Sequence, residues 1–307
     1  MATPLRGVLP VLQTPYADDE SIDFETLEKE VDWLFDVGAN GVVVAMASEI
    51  TRLSELERRE MAAAVCRYAR GRGPVVISVG ADSSRTAECL AAHAQTAGAN
   101  AVMATPPLRG AFGEGELLRY YRRIADAVDL PVIVQDPSGY SGSASLPASL
   151  YTTLLDAYGD RIYLKPEATP TGPHLSGIRE VLGGRARLFG GSGGLSLVDS
   201  YRRGLIGTMP GSGMADAFVM AWRLLEANEE SRAYRLTWPF SALVALHRGL
   251  DGFLLVDKIV LQRRGIFRNT LIRGPMSFTA DPETTREVHR LIGMVLEEMA
   301  DEAKEHA

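Results

Sequence analysis

A lysine closes a short apolar run, Ile162-Tyr163-Leu164-Lys165, and Pro166 and Glu167 follow it at once. Ile, Tyr and Leu in a row suit a buried strand. The residue before a proline is held in extended geometry, so Lys165 ends that strand with its amine half in a core. A poorly solvated lysine gives up its proton more readily, and the neutral amine attacks a ketone to form a Schiff base. The plainer alternative is a stem packed on the core with its head in solvent. Lys165 and Glu167 share a parity in extended chain, so the carboxylate approaches the amine if the alternation runs through Pro166. Other polar groups close other apolar runs: Ser48 and Glu49 after Ala45-Met46-Ala47, Gln135 and Asp136 before Pro137, and Ser192 within Gly190-Gly191-Ser192-Gly193-Gly194. Gln135 and Asp136 are neighbours in a strand, so they do not both point inward.

The elements that must position these groups repeat eight times. Apolar runs at Val8–Leu12, Gly41–Met46, Pro74–Val79, Ala101–Thr105, Pro131–Gln135, Ile162–Lys165, Ala186–Phe189 and Leu205–Met209 alternate with stretches of helical period. In the first such stretch Phe24, Leu27, Val31 and Leu34 form one stripe, with Asp23 placed to cap its start and Gly38 just past its end. Ser54 and Glu57 have capping-box spacing at the start of the second. Continuous apolar strands separated by single helices imply a parallel sheet covered by helices, and eight units fit a closed (β/α)8 TIM barrel. An open doubly wound sheet is a poorer fit, because no dinucleotide fingerprint follows the first strand. The barrel is expected over residues 1–226. A C-terminal helical appendage is expected over 227–307, with helical patterns near 229–248, 250–264 and 283–303. The acidic end (Glu297, Glu298, Asp301, Glu302, Glu305) reads as a solvated helix face. Barrel enzymes hold their chemistry at the carboxyl ends of the strands, where all the polar groups named above converge.

The chain has 307 residues, 46% hydrophobic and 23% charged, as in a globular protein. Its net charge of −7 argues against nucleic acid or an anionic membrane as partner. No apolar run is long enough to span a bilayer, and the start lacks a secretory pattern. A cytoplasmic protein is expected, with Cys66 and Cys89 reduced and structural. The five histidines show no metal spacing, and no metal or cofactor is expected. Arg109 reads as an exposed loop arginine, with contact to a substrate carboxylate as the alternative.

Three segments carry a resemblance to a known family. Gly7-Val8-Leu9-Pro10-Val11-Leu12-Gln13-Thr14-Pro15-Tyr16, Leu53-Ser54-Glu55-Leu56-Glu57-Arg58 and Pro131-Val132-Ile133-Val134, together with Leu164-Lys165, are similar in order and spacing to the dihydrodipicolinate synthase / N-acetylneuraminate lyase family of class I aldolases. The likeness extends over nearly the whole chain. It implies a barrel with a helical appendage, homotetramers or homodimers, and pyruvate or another 2-keto acid bound as an imine on Lys165. The departures matter as much. The family's Gly-Thr-Thr-Gly-Glu aligns with Ala45-Met46-Ala47-Ser48-Glu49, its Thr-Pro-x-Tyr tyrosine with Leu108, and its Tyr-Asn-x-Pro with Val134-Gln135-Asp136-Pro137. The usual Thr–Tyr–Tyr proton relay is missing, and Gly139-Tyr140 stands where the synthases carry an arginine.

The expected activity is therefore a Schiff-base lyase on a 2-keto acid, first an aldolase and second a dehydratase, and not a typical dihydrodipicolinate synthase. Lys165 forms the imine, and Glu167 or Glu49 moves protons, with a structural role for Glu49, bonding backbone amides beneath the site, as the alternative. Ala47 and Ser48 hold the substrate carboxylate, Gln135 and Tyr140 orient the rest, and Gly191 and Ser192 line the pocket beyond. Two rivals stand beside this reading. One is a catalytically silent barrel that binds a metabolite or serves as a regulatory subunit. The other is a phosphate-binding isomerase or lyase built on the glycine-rich loop.

Overall fold

The apolar stripe of the first helical stretch becomes α1 (Phe24–Asp36), with Leu27, Val31 and Leu34 fully buried. Asp23 caps it by accepting the Thr26 amide at 3.0 Å. The chain leaves at Gly38 with φ +93°, a conformation open to glycine. At the start of α2 (Glu55–Tyr68) the Ser54 hydroxyl accepts the Glu57 amide at 3.2 Å, and the Glu57 carboxylate accepts the Ser54 amide at 2.8 Å.

The computed structural model describes residues 5–246 and 249–304; His247, Glu305 and His306 lie outside the described residues. Eight strands follow the apolar runs: β1 (Gly7–Val8), β2 (Val42–Val44), β3 (Val75–Ser78), β4 (Ala101–Ala104), β5 (Val132–Asp136), β6 (Ile162–Pro166), β7 (Leu188–Gly190) and β8 (Leu205–Thr208). They pair in parallel in the order β1-β8-β7-β6-β5-β4-β3-β2. The circle closes just past β1. There the Leu12 amide donates to the Val43 carbonyl and the Val43 amide to the Pro10 carbonyl, both at 2.9 Å. Between the strands run α3 (Ser84–Ala97), α4 (Glu114–Asp126), the single turn α5 (Ser138–Ser141), α6 (Ala148–Tyr158), α7 (Thr171–Leu182) and α8 (Leu197–Arg202). After β8 come α9 (Ala215–Glu226), α10 (Glu230–Ala245), α11 (Gly249–Arg263) and α12 (Pro282–Lys304).

Strand alternation divides the core in two. Leu9, Val43, Val76, Met103, Ile133, Tyr163 and Phe189 fill the barrel. Val44, Val134, Leu164 and Leu188 face the helical shell. Even-numbered residues of β5 and β6 therefore look outward and odd-numbered ones inward, which decides what reaches the mouth. One expectation fails in α12. Glu302 is buried and paired with Arg232, so the acidic end is not uniformly solvated. Among the described residues no helix is long and apolar enough to cross a membrane.

Candidate active site

Two residues beyond Ile133 and Tyr163, the inward parity of β5 and β6 delivers Gln135 and Lys165 to the mouth, directly opposite one another in register. Glu167 continues the same parity past Pro166. Its carboxylate lies 2.8 Å from the Lys165 amine, and both side chains are nearly inaccessible to solvent. Three neutral donors also hold it. The Gln135 amide donates to Oε2 at 2.7 Å, the Tyr140 hydroxyl donates to the same oxygen at 3.3 Å, and the Ser192 amide donates to Oε1 at 2.5 Å. Gln135 Nε2 also donates to the Tyr140 hydroxyl at 2.9 Å, while Gln135 Oε1 is buried without a partner.

The backbone is shaped around this carboxylate. A Cβ on Gly191 would fall 2.1 Å from Glu167 Oε1, and one on Gly139 would fall 2.0 Å from the Glu167 carbonyl oxygen. Neither position tolerates a side chain without displacing Glu167. Burial first, and then the adjacent Glu167 charge, hold the Tyr140 phenol well above its ordinary range. Tyr140 thus stays neutral and serves as a hydrogen-bond donor. Asp136 has the opposite parity and turns away from the mouth. It accepts the Ser138 amide at 3.0 Å, the Ser145 hydroxyl at 2.6 Å and the Leu146 amide at 2.9 Å, folding the loop that carries Tyr140.

A cavity of about 510 Å³ opens above Lys165 and Glu167. Ala47, Met46, Gln135 and Tyr140 line it near the amine. The β6–α7 and β7–α8 connections supply Thr169, Thr171, Ser192, Ser196 and Asp199, while Val244, Leu250 and Phe253 form an apolar roof. After β2 a 3-10 turn at Met46–Ser48 leaves its first amides without an acceptor inside the turn, free to meet a carboxylate at the cavity wall.

Ser48 and Glu49 do not join this group. The Ser48 hydroxyl is fully buried, donating to the Leu12 carbonyl at 2.5 Å and accepting the Ala45 amide at 3.0 Å. It cannot also grip a substrate. Glu49 adopts φ +55° and turns beneath the mouth, where Oε1 pairs with Lys258 Nζ at 2.5 Å. Neither lines the cavity. Both corrections have one cause, since the chain leaves extended geometry at Met46 and strand parity no longer applies. Gly191 lies behind Glu167 and not on the cavity wall. The phosphate reading of the glycine-rich loop is weakened in the same way, because the Ser192 amide is already given to Glu167. Arg109 is exposed and pairs with Asp82 at 3.3 Å. His93 Nε2 lies 3.1 Å from the Arg59 carbonyl, and His174 faces Asp136 at 3.9 Å.

Several buried groups were missed from the sequence. Lys258 Nζ reaches the carbonyls of Thr14 (2.8 Å) and Leu271 (2.6 Å) besides Glu49, and burial pulls its proton affinity down. Asp257 accepts Gln13 Nε2 at 2.9 Å and the Gly213 amide at 3.1 Å, with its carboxyl pushed up to about 6 by burial. Glu30 accepts the Gln13 amide at 3.0 Å and is pushed up to about 8, again by burial. A signal existed for Glu30, which falls three residues after Leu27 on the buried stripe of α1. Asp257 and Lys258 interrupt the apolar run from Phe253 to Leu261.

Residues 4–155 match the profile of the Dihydrodipicolinate synthetase family. L-2-keto-3-deoxyarabonate dehydratase of Azospirillum brasilense is 28% identical over 294 residues, covering 92% of both chains. N-acetylneuraminate lyase of Rhizobium meliloti is 34% identical over 144 residues, 47% of this chain and 48% of that one. Among solved structures, YagE, a prophage protein of the dihydrodipicolinic acid synthase family from E. coli K12 in complex with pyruvate, superposes with a TM-score of 0.86 at 22% identity, covering 95% of this chain and 99% of that one. Taken with the eight-stranded parallel barrel and the lysine at the end of β6, these matches support membership of the chain in the dihydrodipicolinate synthetase family.

Proposed function

We propose that the protein is a class I lyase that binds a 2-keto acid as a Schiff base on Lys165. The observation that carries this reading is the buried Lys165–Glu167 pair at 2.8 Å, whose carboxylate is fixed by three further donors at the floor of the cavity. Glu167 accepts a proton from the Lys165 ammonium, and the free amine attacks the C2 carbonyl. The proton then passes to the departing carbinolamine hydroxyl, and one water leaves as the imine forms. The protonated imine acidifies C3–H and stores the electron pair as an enamine. Glu167 is the group placed to take that proton, in place of the absent Thr–Tyr–Tyr relay. The free amides of the turn after β2, beside Met46 and Ala47, receive the substrate carboxylate.

A single carboxylate can serve every proton transfer of a dehydration. The proton that Glu167 takes from C3 returns to the C4 hydroxyl as it leaves, so one group acts first as base and then as acid. The conjugated iminium is hydrolysed to release Lys165, for a net loss of one water from the substrate. The full-length likeness to a keto-deoxy acid dehydratase points to the same reaction. On that likeness we place the dehydratase ahead of the aldolase in this proposal. Assembly as a homodimer or homotetramer belongs to the proposal and is testable by light scattering.

The test is reduction with borohydride in the presence of pyruvate and of 2-keto-3-deoxy acids, followed by peptide mapping. An adduct on Lys165, lost in Lys165→Ala, supports the class. Product analysis then separates water loss from release of pyruvate plus an aldehyde. No adduct with any keto acid would leave a silent barrel as the better reading.

A further inference from the structure

Proton transfer at Lys165 makes no use of the buried Glu49–Lys258 pair, which lies beneath the mouth against the turn that meets the substrate carboxylate. Glu49 ends that turn, its amide donating to the Met46 carbonyl at 3.0 Å, and its φ of +55° is costly for a residue with a side chain. Such a conformation persists where the surrounding structure over-determines it. Here the constraint comes from a helix 209 residues further on. Lys258 Nζ donates to Glu49 Oε1 at 2.5 Å, to the Thr14 carbonyl at 2.8 Å and to the Leu271 carbonyl at 2.6 Å. An ammonium has three N–H donors, and all three are spent, so the nitrogen is fixed in three directions. Thr14 closes the circuit from the other side, its hydroxyl donating to the Ser48 carbonyl at 2.6 Å. The turn that carries the Met46 and Ala47 amides is thus tied to α11 twice, once through Glu49 and once through Thr14. The same helix carries Phe253, part of the cavity roof.

We propose that Glu49 and Lys258 are positioning residues: Lys258, carried on α11, holds the Met46 and Ala47 amides at the angle that grips the carboxylate of the 2-keto acid. This rests on the Schiff-base reading and concerns how that site prefers an acid to a neutral ketone. Stability does not account for the pair. Apolar side chains of similar volume often stabilise a core as well as a buried ion pair does, because both charges must leave water. What the pair adds is direction. A carboxylate bonded to an immobilised ammonium sets where the Glu49 backbone lies, whereas two apolar side chains slide over one another. The substrate carboxylate accepts from amides whose bonds weaken steeply away from linearity, and such bonds to a charge are the strong ones. A small tilt of the turn therefore costs affinity for the acid and little for a neutral ketone.

The double variant Lys258→Met/Glu49→Leu removes both charges together and so separates position from stability. Half-saturation for borohydride trapping is measured with pyruvate and with pyruvamide, whose neutral amide replaces the carboxylate, and thermal melts monitor the fold. The wild type should trap pyruvate at the lower concentration. In the double variant the preference for pyruvate over pyruvamide should fall about tenfold, the scale of one hydrogen bond to a charged group, with most of the thermal stability retained. A preference unchanged within about twofold in the folded double variant overturns the positioning role, while trapping itself upholds the Schiff-base reading. If the double variant does not fold, hydrogen exchange in the wild type decides. Coupling is reciprocal, so saturation with pyruvate should slow exchange at the turn and also at residues 257–261, which do not line the cavity. Slowing confined to the cavity lining overturns the proposal. A wild type that traps neither probe overturns the Schiff-base reading and the positioning role with it.

Discussion

Replacing Glu167 by glutamine tests the chemistry at the point where the structure is most constrained. The carboxylate accepts from Lys165, Gln135 and Tyr140 on Oε2 and from Ser192 on Oε1. A glutamine can keep the Ser192 bond through its carbonyl oxygen, but its NH2 then faces two donors and an ammonium. Flipping the amide only moves the conflict to Ser192. The variant therefore loses its proton acceptor and leaves the buried Lys165 amine without its charged partner. Imine formation should slow but still be trapped, because water can replace Glu167 in expelling the carbinolamine hydroxyl, while proton transfer at C3 should fail. General acid–base catalysis contributes about 10²–10⁴-fold, so kcat should fall by roughly 10³-fold. The assay pairs steady-state turnover of a 2-keto-3-deoxy acid with borohydride trapping, and circular dichroism monitors the fold. Glu167→Asp should fall between the two, because its shorter side chain cannot reach both Lys165 and Ser192. A folded Glu167→Gln enzyme that turns over within about threefold of wild type would refute the role, and the proton would have to move through Tyr140 or water.

Gly191→Ala should mimic that loss without touching an ionisable group. Its new methyl would overlap the carboxylate, since the Cβ position lies 2.1 Å from Glu167 Oε1. We expect kcat to drop at least tenfold with trapping retained; unchanged kcat would show that Glu167 has room to move. Lys258→Met should destabilise the protein by about 3–5 kcal/mol by stranding Glu49, and adding Glu49→Leu should recover much of it. Thermal melts of the four combinations decide this, and additive losses would contradict a coupled pair. Glu30 shows the reverse sign. Burial raises its folded pKa to about 8 from the ordinary 4.5, so the folded state keeps a proton that the unfolded chain releases above pH 4.5. Its contribution thus worsens as pH rises to about 8, by roughly 1.4 kcal/mol per unit. Glu30→Gln should match wild type below pH 4.5 and exceed it at pH 8 in urea unfolding; equal stability at both would mean that Glu30 is not held neutral.

The barrel was legible because its signals are local and repeated: eight apolar runs, helical stripes, and caps at Asp23 and Ser54. The meeting of Lys165 with Glu167 and Gln135 was legible for the same reason, because strand alternation has a period of two and the chain stays extended through Pro166. Legibility ended where that geometry ended. Ser48 and Glu49 follow a 3-10 turn, and a left-handed residue turned the carboxylate under the mouth. Tyr140 reaches Glu167 only because Asp136 folds the intervening loop from outside the barrel, a contact that spacing does not reveal. Lys258 was hidden by context, since a charge within an apolar helical run reads as an interruption until its partner 209 residues earlier is in view.

That separation also orders events in time. At about 5–20 residues per second, a ribosome needs roughly 10–40 s to add the stretch between Glu49 and Lys258. Through that interval the Glu49 carboxylate lacks its Lys258 partner, and the turn after β2, which forms one wall of the cavity, is held by its Ser48 bonds alone. The roof residues Leu250 and Phe253 emerge only just before Lys258. A nascent chain can therefore complete all eight strands and still lack a closed reaction chamber, so no keto acid is committed to chemistry before α11 has emerged and docked.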